Sequence, residues 1–142
     1  MKQEKRDTSE TELKKEYLKG YAKAVRQMKR SELKIKEMRL NRICPSVIND
    51  GMPHGSSQND LSSYAALLEQ EEKRYMWYRY QCAIKCQEIK YKIKQLSNED
   101  EKNILMYKYM RLLSLNEIAE KMKKSYRQIL RIHKNALEHF IV

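Results

Sequence analysis

The chain of 142 residues holds only three glycines, two prolines, one phenylalanine and one tryptophan. So few turn formers leave little room for the frequent reversals that a sheet protein needs. β-branched residues are sparse and never gather into alternating runs, which excludes strands as the main element. No apolar run approaches the length that spans a bilayer, so no membrane association is expected. The opening MKQEKRDTSE is too polar for a secretory leader. The three cysteines (Cys44, Cys82 and Cys86) are odd in number and lack the spacing of a disulfide scaffold, so free thiols in a reducing cytoplasm are expected. Paired carboxylates, a Ser/His/Asp arrangement and a phosphate-binding glycine loop are all missing. We therefore expect neither catalysis nor a cofactor.

What is present is charge and helix formers. Charged residues make up 35% of the chain, and Lys, Glu, Leu, Met and Gln favour an all-α protein. The net charge is +11, and it is uneven: residues 1–44 carry 14 Lys/Arg against 7 Asp/Glu, residues 45–96 carry 7 against 6, and residues 97–142 carry 9 against 6. Such a balance by itself favours a polyanionic partner such as nucleic acid or an anionic membrane surface.

Two long helices are expected in residues 1–96. The first is capped by Thr8 or Ser9 and carries a heptad-like seam of Tyr17, Tyr21, Ala24, Met28, Ser31, Ile35 and Met38, widened by Leu18 and Val25. Gly20 interrupts it at a cost of roughly 1 kcal/mol relative to Ala, and Pro45 ends it. Residues 43–59 form a long loop, with a tight turn at Asn49-Asp50-Gly51 and the Gly/Ser/Pro-rich GMPHGSSQND. The second helix is capped by Asn59 or Asp60 and carries Leu61, Tyr64, Leu68, Tyr75, Tyr78, Cys82, Cys86, Ile89, Ile93 and Leu96. Two helices of matching length with one narrow apolar stripe each predict a long antiparallel hairpin, a coiled-coil-like pair whose thin core a second protomer would complete as a homodimer.

Residues 97–142 predict three short helices. Ser97 with Asp100 approximates a capping box before a helix bearing Ile104, Leu105, Tyr107, Met110 and Leu112. Ser114 with Glu117 and Ser125 with Gln128 make two complete boxes. The informative stretch is LNEIAEKMKKSYRQILRIHKNALEHF, residues 115–140. Two helices that cross steeply need a small residue at the contact and apolar groups around it. Ala119 is that residue, and Leu115, Ile118, Met122, Ile129 and Ile132 surround it. The outer face of the last helix then holds Tyr126, Arg127, Leu130, Arg131 and Lys134. From Lys121 to Lys134 there are six Lys/Arg and no acid, as phosphate contact requires.

These residues resemble region 4 of the sigma-70 family, whose pattern is Leu-x-Glu-Ile-Ala-x-x-Leu-Gly-Val-Ser followed by a recognition helix. LNEIAEKM, Ser125, Ile129, Ile132 and Ala136-Leu137 match without a gap, over about a third of the chain. With its N-terminal helical extension and MPHGS loop, the whole chain also resembles small prophage proteins of Gram-positive bacteria, the ArpU-type late regulators. The resemblance implies a DNA-binding helix-turn-helix that controls transcription of prophage genes, with double-stranded DNA and RNA polymerase as partners. By position it puts Tyr126, Arg127 and Arg131 at base edges, and Lys123, Lys124, Ser125, Gln128 and Lys134 on phosphates. Lys123 replaces the glycine of the turn, which implies a looser turn or a left-handed lysine. Arg127 stands where the family has an acid, so the target should differ from a housekeeping −35 element.

Other features read as structural. Cys82 and Cys86 continue the apolar stripe, so core packing is favoured over metal binding. His54 reads as a loop residue, His133 and His139 as surface residues of the last helix. The Tyr75–Tyr80 cluster around Trp77 reads as helix-core or partner-helix packing rather than a base-stacking platform. Two rival functions follow from the same residues: a helical scaffold whose C-terminal unit binds protein, and a subunit of a DNA-processing enzyme, which lacks the carboxylates it would need.

Overall fold

The computed structural model describes the backbone of residues 2–43 and 57–142 and the side chains of residues 9–42 and 61–142. Among these residues all regular structure is helical. Helix α1 is Lys2–Ile43 and α2 is Ser57–Lys94. Helix α3, Glu99–Leu105, passes directly into a π-helical turn, Met106–Met110. Helices α4, Leu115–Met122, and α5, Tyr126–His139, follow. None of the described helices is long and apolar enough to cross a membrane. The chain divides into two compact units: Val25–Gln81, and Met1–Ala24 together with Cys82–Val142.

In the unit Val25–Gln81, the α1 segment buries Ser31 and Ile35, with Met28 and Met38 half-buried beside them. These positions lie on the seam that the three-four spacing predicts. Lys34 Nζ donates to Glu71 Oε1 at 2.6 Å, Arg39 to Glu72 at 2.7 Å, and the Tyr64 hydroxyl to the Met38 carbonyl at 3.3 Å. The Arg42 guanidinium sits 4.6 Å over the Tyr64 ring. Lys34 meets Glu71, whereas Met38 and Arg42, further along α1, meet Tyr64, earlier on α2, so the two segments run in opposite directions. Exposed pairs such as Arg39–Glu72 contribute roughly 0–1 kcal/mol each. Glu71 differs because it is buried, and its Oε1 accepts from both Lys34 and Arg74. Losing those cations would strand a buried charge.

The other unit is built on one core of Leu18, Ile89, Ile93, Leu96, Leu105, Tyr109, Met110, Ala136, Leu137 and Phe140. The end of α2 therefore shares its core with α3 and α5, across residue 96 where the hairpin was expected to stop. Phe140 is fully buried, with its ring centroid 6.2 Å from that of Tyr17. Lys14 is buried as well. Its Nζ donates to the Glu138 carbonyl at 3.1 Å and pairs with Glu10 at 3.0 Å, so one cation ties the start of α1 to the last turn of α5.

Several expectations are corrected. Helix α1 begins at Lys2, so Thr8 and Ser9 lie inside it. The Lys/Glu-rich sequence propagates the helix past both of them, and pairs such as Glu10–Lys14 and Glu12–Lys15 support it. Helix α2 begins at Ser57, ahead of Asn59 and Asp60, and Leu61 is exposed. The cap of α3 is Asn98 rather than Ser97, with its Oδ1 accepting from Asp100 N at 2.9 Å. Leu112 is not part of the helix core. It is exposed with φ 58°, because the π turn ends the helix at Met110 and the chain reverses there. Trp77 and Tyr80 are exposed, so they are not core within this chain; at 100° per residue Trp77 points away from the half-buried Tyr75. His133 is half-buried, not a surface residue. The expected turn at Asn49-Asp50-Gly51, the MPHGS loop, Cys44, Pro45 and His54 lie outside the described residues.

Candidate nucleic-acid interface

The last three helices enclose a second small core. Ile104, Ile118 and Ile129 are fully buried, and Tyr107, Leu113, Leu115, Ala119, Met122 and Ile132 pack against them. All six positions predicted to form the α4–α5 contact are therefore brought together.

Each helix start is fixed by side chain and backbone reciprocally. For α4, the Glu117 amide donates to Ser114 Oγ at 3.3 Å, while Ser114 N and Oγ each donate to Glu117 Oε2 at 2.7 Å. The Ser114 hydroxyl, helped by its amide, holds the Glu117 carboxyl below its ordinary range. For α5, Gln128 N donates to Ser125 Oγ at 3.3 Å and Ser125 N to Gln128 Oε1 at 3.0 Å. Each box satisfies two amides that would otherwise lack partners.

Only Lys123, Lys124 and Ser125 separate the two helices. Lys123 takes the left-handed conformation, φ 52° and ψ 43°, where the family pattern has glycine. Its amide bonds to the Glu120 carbonyl at 3.2 Å and that of Lys124 to the Ala119 carbonyl at 3.0 Å, the paired closure of a Schellman motif. Of the two outcomes expected for Lys123, the structure adopts the tight turn with a left-handed lysine.

Arg127 and Arg131 are exposed one turn apart on α5, on the side away from Ile129 and Ile132. Neither takes part in an ion pair among the described residues, and the same holds for Lys123. Tyr126 is exposed beside them. The other predicted contacts are partly engaged. Lys124 Nζ lies 3.1 Å from Asp100 Oδ2, and Lys134 reaches Glu138 at 3.8 Å. Ser125 and Gln128 are committed to the cap, which leaves the Ser125 hydroxyl hydrogen and the Gln128 amide nitrogen as donors.

The fold also assembles a cationic pair that was not among the predicted site residues. Arg111 and Lys121 both lie over the Tyr107 ring, at 5.2 and 5.4 Å. Arg111 stands four residues after Tyr107, the spacing of helical neighbours, whereas Lys121 reaches the same ring from α4.

Two polar pairs each include one buried residue, Tyr109 or Glu101. The Tyr109 hydroxyl and His133 Nε2 share a hydrogen bond at 3.0 Å, with the rings stacked at 5.8 Å. Burial, then the positive Lys108 and Lys15, pulls the His133 pKa down to about 4; burial, then the Glu12 charge, pushes Tyr109 up to about 12. Both are therefore neutral near pH 7. His139 Nδ1 lies 2.9 Å from the buried Glu101 carboxylate. Burial raises the Cys82 pKa, so this thiol is a poor source of thiolate. No group of His, Cys, Asp or Glu among the described residues could hold a metal ion.

No protein-family model matches the chain, and neither does any curated protein or solved structure. The likeness to sigma region 4 thus rests on the motif residues themselves.

Proposed function

We propose that this protein is a sequence-specific DNA-binding transcriptional regulator. In this reading α1 and α2 form a long helical hairpin, α4 and α5 form a helix-turn-helix, and α5 is the recognition helix. The observation that carries it is the pair Arg127 and Arg131: exposed, without ion-pair partners among the described residues, and one turn apart on the side of α5 that the small core leaves open. A guanidinium fork matches the O6 and N7 acceptors of guanine, and such a bidentate contact discriminates by roughly 1–3 kcal/mol. Lys123 and the basic run around it supply sequence-independent attraction to phosphate. The resemblance to sigma region 4 and to ArpU-type regulators supports control of prophage genes and adds RNA polymerase as a partner.

Selection of sites from random duplexes with the purified full chain tests this reading. A consensus should emerge, and affinity for it should fall with salt at a log–log slope of roughly −0.9 per phosphate contacted. Arg127→Ala and Arg131→Ala should weaken the selected site more than random DNA, while Lys124→Ala should weaken both about equally. Equal losses for all three variants would remove the base-reading assignment, and failure to retain any duplex would remove the function.

A second reading, a helical scaffold that assembles with itself or another protein, is favoured by Met76, Trp77 and Tyr80, which are exposed on α2. Sedimentation of the chain across a concentration series separates a homodimer from a monomer.

A further inference from the structure

The outer face of α5 is not uniformly cationic. Leu130 is 42% exposed at its edge and Tyr126 is 48% exposed one turn earlier. Neither belongs to the small core, which takes Ile129 and Ile132 from the same helix. At 100° per residue, Tyr126 and Leu130 form an apolar strip alongside the cationic strip of Arg127, Arg131 and Lys134. A solitary exposed leucine would mean little. Here, however, it flanks the cationic strip on the surface that would enter a major groove, where any apolar group must be desolvated. The apolar feature that a major groove offers is the 5-methyl group of thymine.

We propose that Leu130 is a specificity-determining residue that packs on a thymine methyl, next to the guanines read by Arg127 and Arg131. This rests on the DNA-binding reading above and deepens it: the preferred site should carry thymine and guanine at neighbouring positions of one groove. Tyr126 extends the same apolar strip toward the helix start. Burying one methyl group is worth about 0.8 kcal/mol, or roughly fourfold in affinity.

The test replaces each thymine of the selected duplex, one at a time, with deoxyuridine, which removes only the methyl. The wild-type chain should lose about fourfold at one or two positions. Leu130→Ala should bind the thymine and deoxyuridine duplexes alike at the same position, and Leu130→Met, which retains an apolar reach, should keep the difference. Equal binding of all deoxyuridine duplexes by the wild-type chain, a selected site without thymine, or full discrimination by Leu130→Ala would each overturn the role of Leu130 while leaving DNA binding intact. Failure of the wild-type chain to retain any duplex would overturn both readings together. The wild-type measurements need no variant to fold.

Discussion

Lys123 carries the turn at a conformational cost. A non-glycine residue in the left-handed region crowds its own Cβ against the backbone, and the Schellman closure holds it there. Lys123→Gly is therefore expected to raise stability by about 1 kcal/mol, read as a higher denaturation midpoint. Under the proposed function, retaining lysine at that cost suits a cation presented beside α5, so the same variant should bind random DNA more weakly. His133 gives a pH-dependent term. In the unfolded chain its imidazole gains a proton near pH 6.5, whereas in the folded chain it stays neutral down to about 4. The unfolded state thus binds the extra proton, and stability falls as pH drops through that window. A loss on the order of 2 kcal/mol is expected once screening of the partly exposed ring is allowed for. Denaturant titrations of wild type and His133→Gln at pH 7, 5 and 4 check this, because the variant should lose less stability over the same range.

Helix α1 is long, rich in Lys–Glu pairs and interrupted by a single glycine. A Cβ built on Gly20 meets nothing nearer than Lys85 Cδ at 4.0 Å, an ordinary contact. Gly20→Ala should therefore stabilise the protein by about 1 kcal/mol through helix propensity, seen as a rise in melting temperature. A fall instead would mean that the position needs glycine for a reason other than space. Helices α4 and α5 are short, and isolated helices of this length are marginal in water. Their two reciprocal caps and the shared Ile104, Ile118 and Ile129 make them hold together. The π turn between α3 and α4 is the least regular element and places Tyr109 and Met110 in the larger core.

In the unit formed by Met1–Ala24 and Cys82–Val142, residues far apart in the chain depend on one another. Phe140 is the clearest case: it follows the last helix, yet it is fully buried and touches Tyr17. Phe140→Ala should cost about 3–5 kcal/mol, since it removes a large buried ring and leaves a cavity. The loss should appear as cooperative destabilisation of α5 together with the ends of α1 and α2, by hydrogen exchange. Unfolding confined to the last few residues would show that Phe140 is peripheral.

The residue pattern alone was enough for the helical class, the seam of α1, both serine caps and the six positions around Ala119, because each depends on neighbours within one or two turns. The left-handed alternative for Lys123 came instead from the resemblance, whose pattern has glycine at that position. Packing between distant segments settled the rest. Nothing local marks Lys14 for the Glu138 carbonyl, Lys121 for the Tyr107 ring, or Ile89 and Ile93 for the core that holds Phe140. Trp77 and Tyr80 show the converse, since an aromatic cluster reads as core until the neighbouring helix takes the other side of α2. Local propensity and capping energies act over a few residues, whereas burial is decided by whichever surfaces the folded chain brings together.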